Sequence, residues 1–136
     1  PLKHLNRIAS GGELSRFLLA VKLCLINDQT DQSQVFDEID RGVGGATATA
    51  IGRRLLSLSK KEQVLVVTHS PQVAAFSDNH IKVEKFTDGD NTHTTVKTLD
   101  KEEVIDEVAR MLSGDIVSNE AEAAAKSLIS SSMEIS

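Results

Sequence analysis

The sequence has no tryptophan and no tyrosine, and aromatic residues make up only 3% of it. A surface that stacks nucleic-acid bases needs several aromatic faces, so the composition argues against one here. The single cysteine, Cys24, excludes an internal disulfide and suits a reducing cytosol. No apolar run approaches the roughly 20 residues of a membrane-spanning helix, and no charged-then-apolar leader opens the chain. Positive charge is also short: 15 basic residues stand against 20 acidic ones, a net charge of −5. Wrapping nucleic acid rests on neutralising phosphates with Lys and Arg, so this chain is not expected to do that by itself. A small basic patch, or DNA contact made elsewhere in a larger protein, is still compatible with this balance. Finally, no Gly-x-x-x-x-Gly-Lys-Ser/Thr stretch occurs, so no backbone loop and lysine grip nucleotide phosphates.

What is present fits one domain. The 136 residues, 40% hydrophobic and 26% charged, can bury a real core. The chain begins at Pro1 and shows a coherent motif within ten residues, so it is expected to be a piece of a longer protein. Ser10 and Glu13 have capping-box spacing, and Leu14, Phe17, Leu18, Val21 and Leu25 follow as a helical stripe. Val35-Phe36 reads as the end of a short buried strand. Ala48, Ile51, Leu55 and Leu58 share one face of a helix over 46–58, and the run 64–67 reads as a strand buried on both faces. Pro71 can start a further helix. Ile81 and Val83, then Thr94, Val96 and Thr98, alternate about the turn residues 88–91 and predict a hairpin. Helices are expected over 101–112, ended by Gly114, and over 119–129, with residues 130–136 a disordered tail. The class is α/β.

Three places carry chemistry. Asp37 and Glu38 close the first strand, and in open α/β sheets ligands sit at that end. Two carboxylates at a buried strand end are costly unless something uses them. Asp37 is suited to Mg²⁺, and Glu38 to orienting or deprotonating a water; a solvated acidic turn is the plainer reading of the same pair. Ser10-Gly11-Gly12 at a helix start can present N–H groups and a hydroxyl to an anion, although a simple N-cap explains it too. His69 directly follows the second strand, where it can bond a terminal phosphate or merely sit in a solvated loop. His4, His80 and His93 share no ligand spacing and are given no role. The loop Asp40-Arg41-Gly42-Val43-Gly44-Gly45 lacks the ending of a phosphate-binding loop. It is suited instead to positioning Glu38 or meeting a partner.

The order of these parts resembles the second lobe of ABC-type ATPases. The run Ser10-Gly11-Gly12-Glu13-Leu14-Ser15-Arg16, with Glu13 where transporters usually carry glutamine, is similar to the chromosome-maintenance and DNA-repair branch. The stretches 37–45, 67–74 and 107–114 resemble RecN-type, SMC-like repair proteins more narrowly, and the likeness runs from Arg7 to about Leu128. The chain departs from that pattern at Ala9, at Ser33-Gln34, which suggests a less buried strand, and at Arg41, usually apolar.

The resemblance implies a C-terminal ATPase lobe over residues 1–129, with ATP and Mg²⁺ as cofactors. In its terms Ser10, Gly11, Gly12 and Glu13 form the signature motif and Asp37-Glu38 the Walker B pair. Asp40 is the D-loop aspartate and His69 the switch histidine. It implies an N-terminal P-loop lobe of the same protein as partner, a second head in a homodimer, and DNA engaged only by the full-length protein. No membrane partner is implied, and the setting is cytoplasmic, at the nucleoid. Asp37, Glu38 and His69 would serve their own head's nucleotide and the signature motif the partner's, so the chain alone would be inactive. The competing readings are a transporter's nucleotide-binding subunit and a noncatalytic dimerisation module.

Overall fold

The computed structural model describes residues 11–25, 33–89 and 91–133. Their order is α1 (Gly11–Leu25), β1 (Ser33–Asp37), α2 (Gly45–Ser59), β2 (Gln63–Val67), α3 (Pro71–Ala74), β3 (Ile81–Asp88), β4 (Asn91–Thr98), α4 (Lys101–Ser113) and α5 (Asn119–Met133). The class is mixed α/β, as expected. None of the described helices is long and apolar enough to cross a membrane.

β1 and β2 pair in parallel, with α2 as the connection between them, and the register sets Val35 opposite Leu65 and Asp37 opposite Val67. α2 lays Ala48, Ile51, Leu55 and Leu58 against this pair, the face its periodicity predicts. They form a core with Phe36, Ile39, Leu19 and Val73. Gly52 belongs to the same face because Phe76 lies directly over it: a Cβ there would sit 2.4 Å from the ring. Proline at the first turn starts α3, whose N–H it does not need.

The expectations of a strand buried on both faces at 64–67, and of a buried strand end at Val35-Phe36, are corrected. Val35 is 65% exposed, Leu65 51% and Val67 53%, while Phe36 on the other face is buried. Among the described residues, helices cover one face of the pair, so side chains that alternate across the strands divide into a buried and a bare set. The stripe expected after Glu13 does lie on a helix, α1, but Leu14, Phe17 and Leu18 are exposed, and Leu19 enters the core.

The antiparallel hairpin forms as predicted, pairing Ile81 with Thr98 through to Asp88 with Asn91. α4 starts on a complete capping box: the Asp100 carboxylate accepts from Glu102 and Glu103 N–H, and Glu103 accepts from the Asp100 N–H. Gly114, at φ 83°, ends it. A second core of Ala74, Val108, Ala109, Ala121 and Ala125 joins α4 and α5 to α3. The expected helix end at Ile129 falls short. α5 continues to Met133, because Ser132 is buried and donates to the Ala75 carbonyl at 2.6 Å, docking the last turn. Residues 134–136 lie outside the described part.

Candidate functional site

Parallel pairing brings the chemistry to one edge. Because Asp37 stands opposite Val67, the residues that follow each strand are neighbours, and the Glu38 N–H donates to the Val67 carbonyl at 3.0 Å. Asp37-Glu38 and Thr68-His69 therefore leave the sheet side by side at its carboxyl end. Asp37, Glu38 and His69 are exposed there. This removes one argument for their function: the two carboxylates are solvated, so their placement carries no desolvation cost that a ligand must offset. Asp37 offers a hard, accessible oxygen donor, which is what Mg²⁺ takes when phosphates and waters complete its shell. Among the described residues no group of three or more His, Cys, Asp or Glu forms a metal cage.

Asp40 differs from its neighbours because it is only 4% exposed. One carboxylate oxygen accepts from the Thr68 hydroxyl, and Thr68 Oγ1 in turn accepts from the Ser70 N–H at 2.9 Å. The other oxygen, Oδ1, is buried with no hydrogen-bond partner among the described residues. The loop after β1 and the loop carrying His69 are thus tied together through Thr68, which the sequence does not single out, and Asp40.

The start of α1 is only partly in view. Ser10 lies outside the described residues; Gly11 and Gly12 form the first turn, and Glu13 is exposed in it. Two residues absent from the sequence-based candidates join this end of the sheet. Arg16, on α1, donates from Nη1 to the carbonyls of Ile39 and Arg41, each at 3.1 Å. Arg41 Nη1 lies 3.1 Å from Glu38 Oε2, an ion pair between exposed side chains. The charge that departs from the expected pattern at this position therefore faces the candidate base.

A buried ionic cluster lies elsewhere and is structural. Buried Glu107 on α4 accepts from Arg110 Nε at 3.0 Å and Nη2 at 2.6 Å, and Lys82 Nζ on β3 lies 2.9 Å from it. Burial pushes the Glu107 carboxyl up, but the bonds from Arg110 and Lys82 outweigh it and hold the group below its usual range. His80, bonded to Ser77 Oγ at 2.7 Å, is pushed below its usual value by burial, against the pull of Glu107.

No protein-family model matches the chain. Curated relatives do. It is 49% identical over 125 residues to the DNA repair protein RecN of Rickettsia bellii, covering 92% of this chain and 23% of the relative. It is 47% identical over 129 residues to RecN of Streptomyces coelicolor and 43% over 129 residues to RecN of Bacillus subtilis, covering 95% of this chain in both and 23% and 22% of those proteins. The chain thus spans under a quarter of the length of these relatives. In fold it is similar to a solved chain from a study of ATP-driven dimerization and DNA stimulated activation of SMC ATPases. The TM-score is 0.57 at 19% identity, over 85% of this chain and 69% of that one. Over the length it spans, the chain is thus similar to one segment of the RecN DNA repair proteins.

Proposed function

We propose that this chain is the ATP-hydrolysing lobe of a RecN-like protein of DNA double-strand-break repair. It would complete a nucleotide site whose phosphate-gripping P-loop lies on another lobe of the same protein. The observation that carries this reading is the in-register parallel pairing of β1 and β2, which sets Asp37-Glu38 and Thr68-His69 beside each other at the ligand-facing edge. The bare apolar face of that sheet and the exposed stripe of α1 support a further lobe packed there.

In this reading Asp37 holds Mg²⁺, which supplies positive charge to the nucleotide phosphates when bound. Glu38 orients a water and accepts its proton, and His69 bonds the terminal phosphate. Ser10, Gly11, Gly12 and Glu13 contact the nucleotide of a partner head, and Asp40 holds the loop between the two sites. The lobe runs through Met133. ATP closes two heads and hydrolysis reopens them, which couples nucleotide state to how the full-length protein holds DNA in the bacterial cytoplasm. The chain alone turns over no ATP, because nothing in it grips the β- and γ-phosphates. Neither a transporter subunit nor a noncatalytic module is favoured, since the relatives are repair proteins and the acidic edge is formed and open.

The test is Glu38→Gln in the full-length protein. Turnover should fall by about 10²–10⁴, the contribution of a positioned base, while ATP-dependent head association persists. Wild-type turnover in that variant would remove Glu38 as the base.

A further inference from the structure

The loop after β1 holds a backbone conformation that the chain would not adopt unaided. Glu38 has φ 47°, the left-handed region, which costs a residue with a Cβ about 1–2 kcal/mol. Such a conformation persists only where surrounding contacts over-determine it. Two of those contacts are local: the Glu38 N–H donates to the Val67 carbonyl and the Arg41 N–H to the Glu38 carbonyl, each at 3.0 Å. Two come from elsewhere in the chain. Thr68 donates to the Asp40 carboxylate, and Arg16 donates to the carbonyls on both sides of Asp40, those of Ile39 and Arg41.

Arg16 differs from the other contacts in where it comes from. Thr68 belongs to the neighbouring strand end, whose place the sheet already fixes. Arg16 belongs to α1, a little over one turn from Gly11 and Gly12, on the helix that sends Leu19 into the core. A helix moves as a rigid rod, so any shift at its first turn reaches the guanidinium. From there it passes to two carbonyls, the first of them on the residue next to Glu38. The second carbonyl is that of Arg41, whose own side chain engages the Glu38 carboxylate. Both ends of the Glu38 environment therefore hang on one side chain.

On the ATPase reading above, we propose that Arg16 is a positioning residue. It sets the pose of the Glu38 carboxylate and makes that pose respond to the nucleotide engaged by the start of α1. Arg16 touches neither nucleotide; it acts through the loop. Hydrolysis at one site then depends on occupancy of the other, because the segment serving the partner's nucleotide holds the base serving its own.

The experiment uses the full-length protein and compares Arg16→Ala with Arg16→Lys. A single nitrogen makes both bonds, so lysine can reproduce them. Arg16→Ala should lower kcat for ATP about 10- to 100-fold, the loss expected when a reacting group is misplaced by about 1 Å, with KM within about twofold. Arg16→Lys should recover most of kcat, and the melting temperature of both variants should stay near wild type. Normal turnover in Arg16→Ala overturns the proposal. So does an equal loss in both variants accompanied by a lowered melting temperature, which marks a merely structural contact. Glu38→Gln run alongside separates the two ideas. If it is inactive while Arg16→Ala is normal, only the role of Arg16 falls. If it is fully active, the assignment of Glu38 as the base falls and takes the role of Arg16 with it.

Discussion

Glu107→Gln is the sharpest test of how the hairpin is held to the helices. The carboxylate is 8% exposed and accepts from three cationic N–H groups, two on Arg110 and one on Lys82. A hydrogen bond to a charged group contributes about 1.5–3 kcal/mol, and breaking a fully buried pair costs about 3–5. Both figures need a discount here, because the Lys82 and Arg110 side chains are 27% and 42% exposed and can recover water. Glutamine keeps one acceptor but turns an amide donor toward the cations. The expected loss is about 2 kcal/mol at pH 7, or roughly 8 °C in Tm for a chain of this length. The assay is urea unfolding of the 136-residue chain, wild type against variant, at several pH values. Since the folded carboxyl titrates below its usual 4.5, its contribution is complete above that pH and is lost as pH falls through the folded value. The gap between the two proteins should therefore be full at pH 7 and narrow below about pH 4.5. Acid also charges His80, whose lowered pKa disfavours the folded state below its usual 6.5; Glu107 pulls against that lowering, so the variant should bear more of this cost between about pH 6.5 and 4.5. A loss under about 0.5 kcal/mol at pH 7, or a gap that does not change with pH, would refute the assignment of Glu107 as the tie.

Two further outcomes follow from single contacts. Gly52→Ala should destabilise by about 1 kcal/mol, because displacing the Phe76 ring costs about 1–3 kcal/mol and the gain in helix propensity offsets only about 1. Adding Phe76→Leu should recover part of that loss in thermal melting; additive losses would show that the ring is not the obstacle. Asp40→Asn removes a buried charge with one unpartnered oxygen, so Tm should hold or rise while ATP turnover of the full-length protein falls. A fall in Tm with unchanged turnover would make Asp40 a purely structural residue.

The parts of the fold legible in the sequence are those set by short-range pattern. Ala48, Ile51, Leu55 and Leu58 recur at helical spacing and do face the core. The hairpin's alternation and its turn residues give strand and register together. The failures share one physical cause. An apolar run such as 64–67 states that side chains avoid water, but not that this chain supplies the cover. Val35, Leu65 and Val67 are bare because the described helices lie on the other side. The same holds for Phe17 and Leu18 on α1. Local pattern also missed the last turn of α5, since a serine-rich end looks solvated until Ser132 meets the Ala75 carbonyl.

The site divides along the same line. Asp37, Glu38 and His69 were visible because they stand at or within two residues of a strand's end, and parallel pairing then carries both loops to one edge. Thr68, Arg16 and Arg41 could not be assigned roles in this way. Arg16 stands 23 residues from one carbonyl it holds and 25 from the other, with no side-chain chemistry to mark either partner. Arg41 looked like a departure from pattern, yet it reaches only three residues back to Glu38. An exposed pair of this kind contributes about 0.2–1 kcal/mol, too little to fix the carboxylate by itself. Arg41 is therefore a weak, exposed partner of the carboxylate and not its anchor. The holding of the loop falls to the buried Asp40–Thr68 bond and to Arg16, which are the contacts that the spacing of motifs does not reveal.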